Sequence, residues 1–278
     1  SVFGYVDGGA HDERSLRANL DAFAQVRFAP RVLVDVSQRS QACKVLGQEF
    51  ASPMILGPTG LAGVVWPDGD LAMARAAAAA GLGFCQSTTS SNSIEQVAAA
   101  GRRDHWFQLY VQKDRGLTAS LMERARLAGC PVLVLTVDMP LQGTRERDVR
   151  NGFTVPPRLG LDNLFDYARR LGWLWRMANG PRLGFGNLEE AHGPKRNLTS
   201  LAAHIGAQFD ASVSWKDLEW LRAQWPGKLA IKGILHPKDA SFAVSHGADA
   251  VIGKVDLHAF GFLQGIHLFK ARLLNDVD

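Results

Sequence analysis

The chain has 278 residues, and at roughly 100–200 residues per domain that makes one large domain or two small ones. Its 46% hydrophobic and 21% charged residues are a globular composition, and its longest apolar runs, Ala76–Ala80 and Pro131–Val137, fall far short of the roughly 20 residues that cross a bilayer. The net charge of +4 is local, because Met139–Ser214 holds ten Lys and Arg against seven Asp and Glu; a basic stripe over a whole domain, which nucleic-acid binding favours, is excluded.

Ser1–Gly9 carries acidic Asp7 and glycines where a secretory signal has a positive start and an apolar core, so no export signal is expected. Cys43, Cys85 and Cys130 are far apart in sequence and apolar in context. They match no disulfide or metal spacing and read as buried free thiols of a reducing compartment.

From residue 53 onward, short apolar or β-branched runs alternate with helical patterns, the signature of βαβ units on a parallel sheet. Strands are predicted at Pro53–Leu56, Gly83–Ser87, Trp106–Val111, Val132–Val137, Leu229–Lys232 and Ala248–Ile252. Helices are predicted near Asp70–Ala80, Ser93–Ala100, Leu117–Ala128, Trp215–Gln224 and Lys238–Ser245. Ser93 with Gln96 is a capping-box pattern, and Gly81, Gly101, Gly129 and Gly247 stand where helices should stop.

One connection is anomalous. After the fourth predicted strand the next helix is expected only near Trp215, leaving residues 139–214 as an insertion where α/β connections usually take roughly two to six residues. Within it, Leu171-Gly-Trp-Leu-Trp-Arg-Met177 sets two tryptophans among Arg169, Arg170 and Arg176, as in interfacial membrane anchors. A lid that packs its aromatics on the protein itself is the alternative.

In βα folds the site forms at the carboxyl ends of the strands, and here those ends are polar. Strand one runs into Pro58-Thr59-Gly60 and strand two into Ser87-Thr88-Thr89-Ser90. Strand three carries Gln108 and Tyr110, strand four ends Thr136-Val-Asp138, and strand five contains Lys232. Taken singly, Thr59 and Ser87 read as turn or cap residues and Lys232 as a partner for Asp138. Together they form a ring of neutral hydrogen bonders with one lysine, which suits a planar heteroaromatic ligand. No His/Cys cluster or HExxH spacing points to a metal, and Gly57, Gly60 and Gly63 spell neither a dinucleotide nor a P-loop motif.

The motifs Gly57-Pro-Thr-Gly-Leu, Trp66-Pro-Asp-Gly-Asp-Leu-Ala, Trp106-Phe-Gln-Leu-Tyr-Val, Leu135-Thr-Val-Asp, Gly143-Thr-Arg-Glu-Arg-Asp-Val-Arg-Asn and Ile231-Lys-Gly resemble those of the FMN-dependent 2-hydroxy-acid oxidases and dehydrogenases. The resemblance covers about residues 3–252. The Trp-Pro motif and Trp215-Lys-Asp-Leu-Glu-Trp-Leu look most similar to the mandelate and L-lactate dehydrogenases. It implies an α/β fold of the TIM (β/α)8-barrel type, with about six of the eight βα units and the long insertion after strand four. It also implies FMN as cofactor, a small 2-hydroxy acid of the lactate, mandelate or glycolate type as substrate, and oxygen, a quinone or a cytochrome as electron acceptor. In some relatives the insertion is a membrane anchor, which implies a place in the cytoplasm or peripheral on the inner membrane face, touching it through residues 165–185; the open edge that six parallel strands leave implies a homo-oligomer.

By the same resemblance Pro58, Thr59 and Gly60 lie against the flavin ring, and Ser87, Gln108 and Thr136 bond its polar edge. Lys232 places positive charge near flavin N1. Arg145 binds the substrate carboxylate through its planar fork, Tyr5 and Tyr110 bond the carboxylate and hydroxyl, and Asp138 orients a catalytic histidine and stabilises its protonated form.

The sequence departs from the family at its end. There the sixth strand continues into Ser-Asn-His-Gly-Gly-Arg, which supplies the base and a second arginine. Here Ala248-Asp-Ala-Val-Ile252 is followed by Gly253-Lys-Val-Asp-Leu-His-Ala-Phe260. The expectation is a truncated barrel of residues 1–252 with a replacement tail, 253–278, in which Leu257, Phe260, Leu263, Ile266, Phe269 and Leu273 have helical spacing. His258 and His267 are not read as the base. Two functional readings follow: an active dehydrogenase, or a catalytically impaired remnant or interaction module that keeps the partial barrel.

Overall fold

The structure, a computed structural model, describes residues 2–101, 103–139, 143–154, 168–188 and 208–253. Its centre is a six-stranded parallel sheet in sequence order: β3 (Ile55–Leu56), β4 (Gly83–Ser87), β5 (Trp106–Leu109), β6 (Val132–Thr136), β7 (Lys228–Ile234) and β8 (Ala250–Gly253). Outside it run α4 (Gly69–Ala79), α5 (Ile94–Ala100), α6 (Arg115–Leu127), α9 (Trp215–Gln224) and α10 (Pro237–Ser245). The sheet and its outer helices form an arc of a TIM-type barrel, in which β4, β5 and β6 are buried on both faces and read as near-continuous apolar runs.

The five predicted helices are present within a few residues, and their ends have local causes. The Ser93–Gln96 capping box forms at α5. Asp114 caps α6 by accepting from Gly116 N at 2.8 Å, and Pro237 opens α10. Gly81, Gly129 and Gly247 follow helices with left-handed φ of 66°, 88° and 87°.

Alternation along the strands sorts side chains into two cores. Phe107, Leu109, Leu133, Leu135, Leu229 and Ile231 face outward onto Leu117, Leu121, Leu218, Leu221 and Trp225 of the helices. Cys85, Trp106, Val132, Val134, Ala230 and Ala250 face inward, and there they meet Leu46 and Phe50. Those two belong to an antiparallel hairpin, β1 (Cys43–Val45) and β2 (Gln48–Phe50), which closes the bottom of the arc. All three cysteines are free; Cys85 and Cys130 are buried, while Cys43 is only half-buried.

The expectation of no helix between the fourth predicted strand and Trp215 is corrected. The insertion contains α7 (Glu146–Arg150) and α8 (Leu171–Asn179). The first is a single turn of alternating charge with no apolar period to reveal it. Two further helices precede the sheet, α1 (Val2–Asp7) and α2 (Arg14–Gln25), and a short α3 (Ala62–Val65) follows β3. The expected tail helix, His258 and His267 lie outside the described residues.

Candidate active site

The inward positions at the upper ends of β4, β5 and β6 form a buried relay. Ser87 Oγ donates to Gln108 Oε1 at 3.1 Å, and Gln108 Nε2 donates to Thr136 Oγ1 at 3.0 Å. Gln108 is 1% exposed, so both ends of its amide need partners. The strands are staggered: Gln108 is paired in register with Val134 but reaches one inward residue further, to Thr136. Thr88 ties this relay to the next residue of interest. Its Oγ1 donates to Gln108 O at 2.7 Å and accepts from Tyr110 N at 3.2 Å.

The Pro58–Gly60 turn rests on the same strand end. Leu61 N donates to Thr89 O at 3.0 Å, and a Cβ on Gly60 would fall on Thr89 Oγ1. Thr89 Oγ1 in turn lies 3.1 Å from Ser87 Oγ. The structure thus brings Pro58, Thr59, Gly60, Ser87, Gln108 and Thr136 together along one rim.

The charged residues and the tyrosines lie at the same end of the sheet, with Lys232 paired in register with Thr136. Lys232 Nζ lies 3.5 Å from Asp138 Oδ2, so the pairing read as the simple alternative is present. A bulge at Gly233 between Lys232 and Ile234 re-aims the end of β7 toward Asp138. Burial pushes the Tyr110 hydroxyl up to about 12, with the nearby Asp138 carboxylate and the neighbouring Tyr5 phenol, which titrates in the same range, adding to it. Burial also raises Tyr5, opposed by the Arg145 guanidinium and reinforced by Asp148. Arg145 sits 5.0 Å over the Tyr5 ring, bonds Asp148 Oδ2 and donates to Tyr5 O, both at 2.5 Å. On its other side Tyr5 stacks on Phe153 at 4.7 Å.

A cavity of about 520 Å³ opens between the Thr59–Gly60 turn and the Tyr5–Arg145 pair, with Trp66 and Met73 among its other lining residues. Its wall is mostly apolar, with a guanidinium and a phenol at one end. The donor set fits a flavin: neutral hydroxyls and an amide for the polar edge of a planar ring, one ammonium for negative charge, and backbone at Pro58–Gly60 for its face. Among the described residues no cluster of three or more His, Cys, Asp or Glu could hold a metal ion.

Sequence reading missed several residues that support this site. Asp148 and Phe153 hold Arg145 and Tyr5, and Thr88 lay inside a polar run from which only its neighbour was chosen. Asn187, buried in the insertion, carried no signal beyond a Gly-Asn pair between two apolar residues.

The two readings of the Trp/Arg segment divide along α8. Trp173 Nε1 donates to Val65 O at 3.1 Å, and Arg176 stacks 4.1 Å from the Trp66 ring centroid, so this side packs on the protein. Leu171 and Trp175 remain 69% and 68% exposed. Residues 165–167 lie outside the described residues, and no described helix is long and apolar enough to cross a membrane.

Comparison with known proteins agrees with the geometry. The profile of the FMN-dependent dehydrogenase family matches residues 1–252. An L-lactate dehydrogenase of Alcaligenes faecalis is 42% identical over 274 residues, covering 98% of this chain and 71% of its own. The crystal structure of the monotopic membrane protein (S)-mandelate dehydrogenase superposes with a TM-score of 0.85 at 41% identity, covering 90% of this chain and 66% of that one. A mandelate oxidase variant solved with a C4a-OH-FMN adduct gives a TM-score of 0.70 at 32% identity, over 90% of this chain and 62% of its own. Coverage, identity and the arrangement of the strand-end residues converge on one assignment: the chain belongs to the FMN-dependent dehydrogenases, a family of flavoenzymes.

Proposed function

We propose that the protein is an FMN-dependent oxidoreductase that converts an L-2-hydroxy acid of the lactate, mandelate or glycolate type to the 2-keto acid, with oxygen, a quinone or a cytochrome as final acceptor. The observation that carries this reading is the buried Ser87–Gln108–Thr136 relay beside the Pro58–Gly60 turn, whose Thr59 and Gly60 share a cavity with Tyr5 and Arg145. FMN, when bound, accepts the electrons removed from the substrate.

Each residue has a task it can perform. Pro58, Thr59 and Gly60 support the ring face, the relay bonds its edge, and Lys232 offsets the negative charge of the reduced ring. Arg145 binds the carboxylate; because Asp148 and Tyr5 O already fix its guanidinium, it is oriented before substrate arrives. Tyr5 and Tyr110, both held neutral by burial, donate to the substrate's oxygens. Asp138 is the carboxylate that would stabilise a protonated base, a role to which no described residue is assigned. Residues 1–252 form the barrel-type unit and 139–214 its insertion, whose exposed Leu171 and Trp175 support peripheral contact with a membrane.

Anaerobic addition of mandelate or lactate to the FMN-loaded protein tests the reading. Bleaching of the visible flavin band is expected, and a protein that takes up no FMN would overturn it. A second reading, a non-catalytic module, is favoured by one observation: Lys232 and Arg145 are already ion-paired. Bound flavin that neither acid bleaches would support that instead.

A further inference from the structure

Asn187 lies in the insertion, yet its side chain is 1% exposed and reaches the end of β4. Its Nδ2 donates to Ser87 O at 3.2 Å and Thr88 O at 3.4 Å. Its Oδ1 accepts from Ile94 N at 2.8 Å, the first residue of α5. Its main-chain carbonyl accepts from Arg124 at 2.9 Å, and Arg124 is gripped by both oxygens of Glu95 at 2.8 and 2.9 Å.

The residues around it are equally committed. Phe185 and Leu188 are buried in the outer core. Gly186 N donates to Ser90 O at 3.1 Å, and a Cβ on Gly186 would come within 2.5 Å of Ser93 N, so only glycine permits this approach of two backbones. From the opposite side, Asp70 Oδ2 accepts from Ser91 N at 2.8 Å and Asn92 N at 3.3 Å. The turn that follows β4 is clamped between α4 and the insertion.

Ser87 is the first member of the relay, and the direction of its Oγ follows from the conformation of the Ser87–Thr88 backbone. A buried carbonyl needs a donor; Ser87 O already accepts from Ser90 N at 3.1 Å within the turn, and Asn187, a hundred positions later in the chain, adds a second donor that bridges it to Thr88 O. We propose that Asn187 is a positioning residue: it fixes the Ser87 and Thr88 carbonyls and so aims the Ser87–Gln108–Thr136 relay, making the insertion part of the flavin site. The cofactor end of this inference rests on the proposed FMN function; the positioning of the relay does not.

The test uses the full chain with Asn187→Asp and Asn187→Ala, read by amide exchange over 87–92 and 94–100 and by FMN titration through flavin fluorescence. Asn187→Asp keeps the acceptor for Ile94 N and loses the donor to the two carbonyls. It is expected to speed exchange in 87–92 about tenfold, leave 94–100 unchanged and weaken FMN about tenfold; Asn187→Ala is expected to loosen both segments. If Asn187 merely caps α5, Asn187→Asp leaves 87–92 unchanged, and the proposal is overturned. It is also overturned if the turn loosens while FMN affinity stays the same. Should the unsubstituted chain bind no FMN, the flavin reading fails separately, and exchange alone decides whether Asn187 holds the relay. Should Asn187→Asp not fold, Asn187→Ser, too short to reach Ser87 O and free of buried charge, is read on 87–92 alone, because it also loses the bond from Ile94 N: faster exchange there supports the proposal and unchanged exchange overturns it.

Discussion

Gly233 stands directly against Asp138: its φ is 107°, and a Cβ there would meet Asp138 Cβ at 2.6 Å and Cγ at 2.7 Å. An L side chain at this φ is strained by about 1–3 kcal/mol even without the overlap. Gly233→Ala is therefore expected to lower the melting temperature and to push Asp138 away from Lys232. A melting curve unchanged from the unsubstituted protein would show that the bulge relaxes freely.

Replacing Gln108 tests the relay directly. Gln108→Met keeps most of the volume and leaves Ser87 Oγ and Thr136 Oγ1 without their partner, at a cost of about 1–3 kcal/mol for buried polar groups. Chemical unfolding should show that loss together with weakened FMN binding. Loss of stability with FMN affinity intact would place the flavin edge elsewhere.

Tyr110 gives the stability a defined pH dependence. Its hydroxyl is raised from 10.0 to about 12, chiefly by burial, so the folded state holds its proton where the unfolded chain releases it. That contribution is complete below about pH 10 and is lost as the pH rises toward 12. Melting temperature should fall over that interval, and Tyr110→Phe should reduce the fall. Tyrosinate absorbance that titrates entirely near 10 would contradict it.

The exposed side of α8 is expected to bind bilayers. Leu171 and Trp175 offer the apolar contact and Arg169 and Arg170 the charge, so co-sedimentation with anionic vesicles should weaken with salt. A Leu171→Ser, Trp175→Ser double variant should lose most of it, since Trp173 is occupied with Val65 O. Equal binding by the double variant would move the contact to another face.

The sheet was legible because parallel strands covered on both faces leave continuous apolar runs, as at Val132–Thr136, and because Gly81 and Gly129 mark helix ends by their backbone needs. The rim was legible because Gln108 and Lys232 interrupt such runs. What was hidden depends on distant partners. Leu46 with φ 49° and Gly47 with φ 86° make a two-residue hairpin turn, but a leucine in the first turn position disguises it. Asp148 beside Arg145 looks like a solvated charge pair until Tyr5 is brought to it from the other end of the sequence, and Asn187 has meaning only beside Ser87.

The hairpin that closes the bottom of the arc has a further consequence, for the order in which the chain can assemble. Leu46 and Phe50 emerge before any strand of the sheet, yet the surface that buries them includes Ala230 and Ala250, about two hundred residues later. Contacts of such separation form late. Part of the hairpin's apolar face therefore stays uncovered after Cys85, Trp106 and Val132 have been made, and pulse-labelled refolding should find its amides gaining protection after those of β4–β6.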